Sequence, residues 1–257
     1  MPTENNAITQ RIAGLLADAD KPGGAFPPTD LYNEGWMLRL VLDWFSKNQP
    51  EKAAIKFAQG ARCYCEALLP SAFLARTRGD SLSEQWTHAD GVIGHFDVGA
   101  NGAGDLTLKA DATHFVVIEA KMGSKLSAGV KNAPDFNQAA RNVACMAEVA
   151  RRASISPGSF ENLAFYVCAP QAKIDQGAFA QHMNVDAMGD IVRRRVAAYD
   201  EKAKQDWFDE WFLPICDKAE IRCVSWEELL DDIANHNPSD GEEMQRFYDK
   251  CLMFNRV

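Results

Sequence analysis

Apolar positions recur at helical spacing in the first part of the chain and switch to a strand-like texture from residue 91. Ile8, Ile12, Leu15 and Leu16 predict a short helix within residues 1–20. Residues 21–29 carry prolines and glycines that break any regular element, so they predict a loop. Asp30 offers an N-cap for a helix through about residue 47, with Leu31, Leu38, Val41 and Phe45 as its stripe. Glu34 falls on that same stripe, and a carboxylate aimed toward the core side needs a partner. Residues 53–76 predict mostly helix, with uncertain boundaries around Cys63 and Pro70, and residues 79–90 are polar.

The middle of the chain predicts strands. Gly91–Val98 is short and β-leaning, and Asn101–Gly104 is a turn. Asp105–Ala110 alternates, with Asp105, Thr107 and Lys109 on one face and Leu106, Leu108 and Ala110 on the other. Phe115–Ile118 is a continuous apolar run that leads into Glu119-Ala120-Lys121. The two segments predict an antiparallel hairpin whose second strand is buried on both faces. Residues 122–134 form a long loop of the kind that is functional or mobile.

Asp135 opens a helix through about Arg152, and Leu163–Cys168 is a further strand. Met188–Tyr199 and Trp207–Leu213 follow as helices, and Ile221–Val224 is the last strand. Ser225-Trp226-Glu227-Glu228 is a capping-box start for one more helix. The element order predicts a single α/β domain over residues 1–257, with a mixed sheet of about four or five strands and helices on both faces. Its core spans about residues 30–230, between an N-terminal helical extension and a C-terminal helical tail.

Composition and charge narrow the classes. The 257 residues are 47% hydrophobic and 25% charged, which excludes a disordered or low-complexity chain. No stretch approaches the roughly 18 continuous apolar residues of a membrane span. The N-terminus lacks a signal-peptide pattern, so a soluble, cytoplasmic protein without a membrane partner is expected. Seven cysteines sit mostly in apolar runs, and Cys63-x-Cys65 has no second pair at zinc spacing. Buried free thiols are the expectation. The net charge of −9 argues against a generally polyanion-binding surface. That charge is unevenly spread: residues 121–152 are net +4, and residues 200–257 are net −8.

Chemistry concentrates at Gly104-Asp105 and Glu119-Ala120-Lys121. Glu119 and Lys121 are two apart on one strand and share a face. If the neighbouring strand pairs with modest offset, the Asp105 carboxylate approaches Glu119. Two adjacent carboxylates repel unless a cation lies between them, and oxygen ligands suit Mg²⁺ or Mn²⁺. About one Glu-x-Lys arises by chance in a chain of this size. Asp200-Glu201-Lys202 serves as an internal control, because it lies in a polar, helix-prone stretch whereas Glu119 ends an apolar run.

On these residues, with the following loop and the helix starting Asp135-Phe136-Asn137-Gln138, the chain resembles the PD-(D/E)XK nuclease superfamily of restriction-endonuclease-like fold. The resemblance covers residues 90–170 best, with Gly104 where the family name has Pro. It implies a three-layer α/β/α fold and a phosphodiesterase acting on nucleic acid, with DNA favoured. It implies that Asp105 and Glu119 bind Mg²⁺ or Mn²⁺ with the backbone carbonyl of Ala120, and that Lys121 positions or activates the attacking water. It implies that Glu34, an acidic residue on the first core helix, completes the metal site, and that Gln138 supports catalysis. Lys125, Lys131 and Arg141 supply the basic contacts beside the site.

Competing readings stay open at this level. Asp97 is an alternative to Asp105 as metal ligand. Glu34 also suits the first turn of a helix on dipole grounds, and Gln138 also completes a capping box with Asp135. His88, His95 and His114 show no zinc pattern, and the glycines at 91, 94, 99, 102 and 104 lack the Lys-Ser/Thr of a phosphate loop. Arg193-Arg194-Arg195 reads as a solvated face before a phosphate contact. The rival functions are a non-cleaving assembly module that uses the acidic C-terminal region, with a protein partner or homodimer, and a hydrolase of some other phosphoester.

Overall fold

The computed structural model describes residues 7–50, 52–99 and 104–255. Helices α1 (Ala7–Ala17) and α2 (Glu34–Asn48) come first. Strands β1 (Arg62–Leu69), β2 (Thr87–Gly94), β3 (Phe96–Val98), β4 (Leu106–Leu108) and β5 (His114–Ala120) follow. Helix α3 (Gln138–Ala153) leads to β6 (Asn162–Ala169) and to helices α4 (Gln171–Asp175), α5 (Val185–Ala197) and α6 (Lys202–Trp207). A π-helical turn at Phe208–Phe212 joins α6 to α7 (Leu213–Lys218). Strand β7 (Glu220–Ser225) and helices α8 (Trp226–His236) and α9 (Pro238–Asn255) complete the order.

The main sheet runs β1-β2-β5-β6-β7. The β1–β2 and β2–β5 pairs are antiparallel, and the β5–β6 and β6–β7 pairs are parallel. This is the mixed, helix-flanked sheet of the three-layer α/β/α expectation. The β5 strand is central, and all seven of its residues are buried. Phe115 and Val117 pack on the side of α3, while Val116, Ile118 and Ala120 pack on the side of α2 and α8. An apolar run with no polar alternation is what burial on both faces requires.

Both helical layers approach the sheet closely. On α3, Ala139, Ala140, Ala144, Ala147 and Ala150 are fully or almost fully buried, and such short side chains let the helix axis come near the strands. On the other side, Leu38, Val41 and Phe45 of α2 are completely buried, as their spacing predicts. Gly91 makes room for α2, since a Cβ there would stand 2.9 Å from Leu38 Cδ2. At Gly94 a Cβ would fall 2.2 Å from the His114 carbonyl oxygen, so only glycine fits that crossing.

Several expectations are corrected. Residues 53–76 are not helical: β1 forms there as an edge strand paired with β2. The 105–110 segment does not pair with 115–121. It forms a separate two-stranded ribbon with β3, while β5 takes β2 and β6 as neighbours. Helix α2 starts at Glu34 because the Asn33 side chain accepts from the Trp36 amide, and Asp30 lies in a preceding 3₁₀ turn. Helix α3 is capped by Asn137, which accepts from the Ala140 amide, rather than by Asp135. The Ser225 cap of α8 forms as expected. Residues 101–103 of the predicted turn lie outside the described residues. The seven cysteines are free thiols, and no helix among the described residues is long and apolar enough to cross a membrane.

Candidate functional site

The site is built where the β2–β5 ladder stops. Its last pair is Gly91 with Ile118, and one step further the register brings Asp90 opposite Glu119. Beyond the ladder, the Ala120 amide donates to Asp90 Oδ2 at 2.8 Å. A side-chain carboxylate thus takes over a backbone amide that the antiparallel ladder leaves, and the turn of Asp90 toward β5 is fixed by that bond. On the other flank, the pairs Cys65–Gly91 and Ala67–Ala89 place Glu66 in register with Asp90. Glu66 adopts a left-handed backbone (φ 59°), and its carboxylate accepts from Arg39 of α2 at 3.3 Å. Glu66, Asp90 and Glu119 therefore form a cross-strand row over three neighbouring strands.

Glu119 is completely buried. Lys121 Nζ is paired with its Oε1, Gln138 Nε2 donates to the same oxygen at 2.5 Å, and Asn142 Nδ2 donates to Oε2 at 3.2 Å. Burial pushes the Glu119 carboxyl up to about 8, the adjacent Asp90 carboxylate adds to that, and the Lys121 ammonium opposes it. Gln138 can reach across because Asn137 performs the capping, which frees the first side chain of α3 for the sheet. The Trp226 indole donates to the Lys121 carbonyl at 3.0 Å and fixes the backbone just past the strand.

Two hollows meet at Asp90. The hollow on the α2 side is lined by Glu34, Arg39, Glu66, Asp90, Ala120 and Lys121, among others. The one on the α3 side is lined by Asp90, Lys131, Gln138 and Arg141, together with the segment around Trp86. Each borders the N-terminal end of a long helix, where backbone amides and the macrodipole favour an anion.

The structure thus brings together Glu34, Glu119, Ala120, Lys121 and Gln138, with Lys131 and Arg141 on the second hollow. It does not bring Asp105 to them. Asp105 bridges Leu68 on the outer edge of β1, so β1 and β2 stand between it and β5. At about 4.8 Å per strand spacing, that is about 14 Å from Glu119. Asp97 sits exposed on the small ribbon opposite Thr107. Lys125 is an exposed loop residue that lines neither hollow. Arg195 is buried, and its guanidinium donates to the Leu82 and Asn132 carbonyls, so it is a packing group rather than a solvated one.

Asp90, Glu66 and Asn142 escape the sequence reading. The available signal for Asp90 is its place directly before Gly91-Val92-Ile93, the run that pairs with β5. Among the described residues, no three His, Cys, Asp or Glu side chains are gathered as a ready metal cage. The two adjacent carboxylates nevertheless suit a hard cation that keeps several waters and takes one or two carboxylates plus a phosphate, as Mg²⁺ does. Compared with family models, curated proteins and solved structures, the chain has no match.

Proposed function

We propose that this chain is a divalent-cation-dependent nuclease, in the arrangement resembling PD-(D/E)XK enzymes, acting on nucleic acid with DNA favoured. The observation that carries the reading is the meeting of Asp90 and Glu119 at the end of a splayed strand pair, with Lys121 held on Glu119. The like charge of Asp90 acts against ionisation of Glu119, which is the electrostatic situation a cation relieves. Asp90, Glu119 and the Ala120 carbonyl would hold Mg²⁺ or Mn²⁺, with Asp90 in the role that the sequence assigns to Asp105. When bound, the cation supplies Lewis-acid stabilisation of the charge that builds on the phosphate. Lys121 Nζ orients the attacking water and offsets phosphate charge. Gln138 and Asn142 hold the Glu119 carboxylate in place. Glu34, beside Asp90 and Lys121, directs solvent in the same hollow. Lys131 and Arg141 meet the nucleic-acid backbone. A reducing, cytoplasmic setting belongs to this reading, since every cysteine is a free thiol.

The test is cleavage of DNA by the purified chain with Mg²⁺ or Mn²⁺, lost in Lys121→Ala and in Glu119→Ala. Full activity in both variants would remove the site assignment. The rival is a non-cleaving assembly module that uses the acidic C-terminal region. Absence of both cleavage and Mn²⁺ binding heat would decide for it.

A further inference from the structure

The chemistry above gives the hollow on the α3 side two backbone contacts, Lys131 and Arg141, and leaves its aromatic and acidic walls, Trp86 and Glu84, without a role. There a cavity of about 510 Å³ lies against Asp90 and Gln138. That volume falls in the range of about 300–1,000 Å³ common to small-molecule sites. Its walls add an aromatic ring and a carboxyl to the two cations. Trp86 contributes a half-buried indole, with the Arg152 guanidinium 5.6 Å from the ring centroid. Arg141 and Lys131 bring cations, and Glu84 brings a buried carboxyl. Glu84 accepts from the Ser71 hydroxyl through one oxygen, while its Oε2 and the Arg141 Nε are buried without a hydrogen-bond partner.

An aromatic ring, flanking cations and an acid able to accept from an exocyclic amine are the groups that recognise a nucleobase face and edge. In a duplex that base is stacked and paired, and bringing it into a pocket costs about a few kcal/mol of unstacking and unpairing that a single strand is spared. Binding to a duplex also depends on neutralising many phosphates, and this chain carries −9 overall with only a local basic excess. A single unpaired nucleotide needs stacking more than charge.

We propose that this cavity takes the base of an unpaired nucleotide next to the scissile phosphate, so that the substrate is single-stranded nucleic acid. The inference rests on the nuclease reading and specifies its substrate class. With the base against Trp86 and its edge toward Glu84, the adjoining phosphate lies toward Asp90, the residue shared by both hollows.

The experiment compares a labelled single strand of about 12 nucleotides with the same sequence as blunt duplex, using the full chain in EDTA and fluorescence anisotropy. Expected is binding of the single strand about tenfold tighter or more, weakened about tenfold in Trp86→Ala and restored in Trp86→Phe. Equal affinity for both forms, no binding of either, or no effect of Trp86→Ala overturns the proposal. A cleavage assay with Mg²⁺ separates the two levels of the argument. Cleavage of duplex as fast as single strand overturns the cavity's role and leaves the nuclease intact. Single-strand preference in binding without any cleavage supports the cavity and overturns the nuclease reading.

Discussion

Asp90 on β2 accepts the backbone amide of Ala120 on β5 at 2.8 Å, which sets its carboxylate beside Glu119. This contact distinguishes Asp90 from the other acidic candidates. Asp90→Asn is expected to lower metal-dependent cleavage about 100-fold or more, because one anionic cation ligand is gone. Its melting temperature should stay within about 3 °C of the parent, as for a substitution at a half-exposed position. Asp105→Asn should leave cleavage within about twofold and act on stability alone, since Asp105 is buried on the far edge of β1. Steady-state rates and thermal melts of both variants check this, and the reverse pattern would restore Asp105 to the site.

Glu119→Gln keeps the shape and removes the charge. Burial and Asp90 push the carboxyl up, and the Lys121 ammonium opposes them. The variant should melt several degrees below the parent, because the new amide nitrogen faces one of the donors, Lys121, Gln138 or Asn142, that the buried carboxylate accepts from. Cleavage should fall about 1,000-fold, equivalent to several kcal/mol of lost transition-state stabilisation. Circular dichroism melts and initial rates test the pair of expectations.

His114 predicts a pH dependence of folding. Burial, then the neighbouring His95, pulls its imidazole down to about 4 from the ordinary 6.5. Between those values the unfolded chain binds a proton that the folded chain does not, so stability rises with pH across that window. The stabilisation is complete above about 6.5 and is lost as pH falls toward about 4. A melting series from pH 7 to pH 4 should therefore show a drop on the order of 5 °C from this group, reduced in His114→Gln. An unchanged slope in the variant would discard the assignment.

Arg195 ties the 122–134 loop to the body of the protein. Its guanidinium donates to Leu82 and Asn132 and stands 5.1 Å from the centroid of Phe73 and 5.5 Å from that of Tyr199. Arg195→Met should cost about 1–3 kcal/mol, since the Asn132 carbonyl loses the guanidinium and the Leu82 carbonyl is left with the Tyr199 hydroxyl. Urea denaturation gives the energy. Limited proteolysis should show faster cutting between residues 122 and 134, and protection equal to the parent would contradict the anchoring role.

Local signals in the sequence identify β5, the stripe of α2, the helix nature of α3 and the Glu-x-Lys pair, because each is fixed by periodicity or by an apolar run. The edge strand β1 escapes because it is only partly buried, and Glu66 interrupts its extended backbone with a left-handed residue. Without alternation, Cys63–Leu69 resembles a helix as readily as a strand. Asp90 escapes for a different reason. Sheet pairing is a long-range choice, and the nearest alternating segment in the sequence, 105–110, belongs to a separate ribbon. Once β2 rather than β4 is the neighbour of β5, the Asp that stands beside Glu119 is Asp90 and not Asp105.

The seat of α2 is shared between the sheet and α9. Trp44 Nε1 donates to Asp240, and Asn255 donates to the Tyr32 carbonyl across 223 positions of sequence. During synthesis, the helix that brings Glu34 and Arg39 to the cleft exists long before the surface it rests on. Residues through α9 must therefore be made before that wall can close. A nascent chain emerging beside messenger and ribosomal RNA carries the Glu-x-Lys strand but not the finished pocket wall.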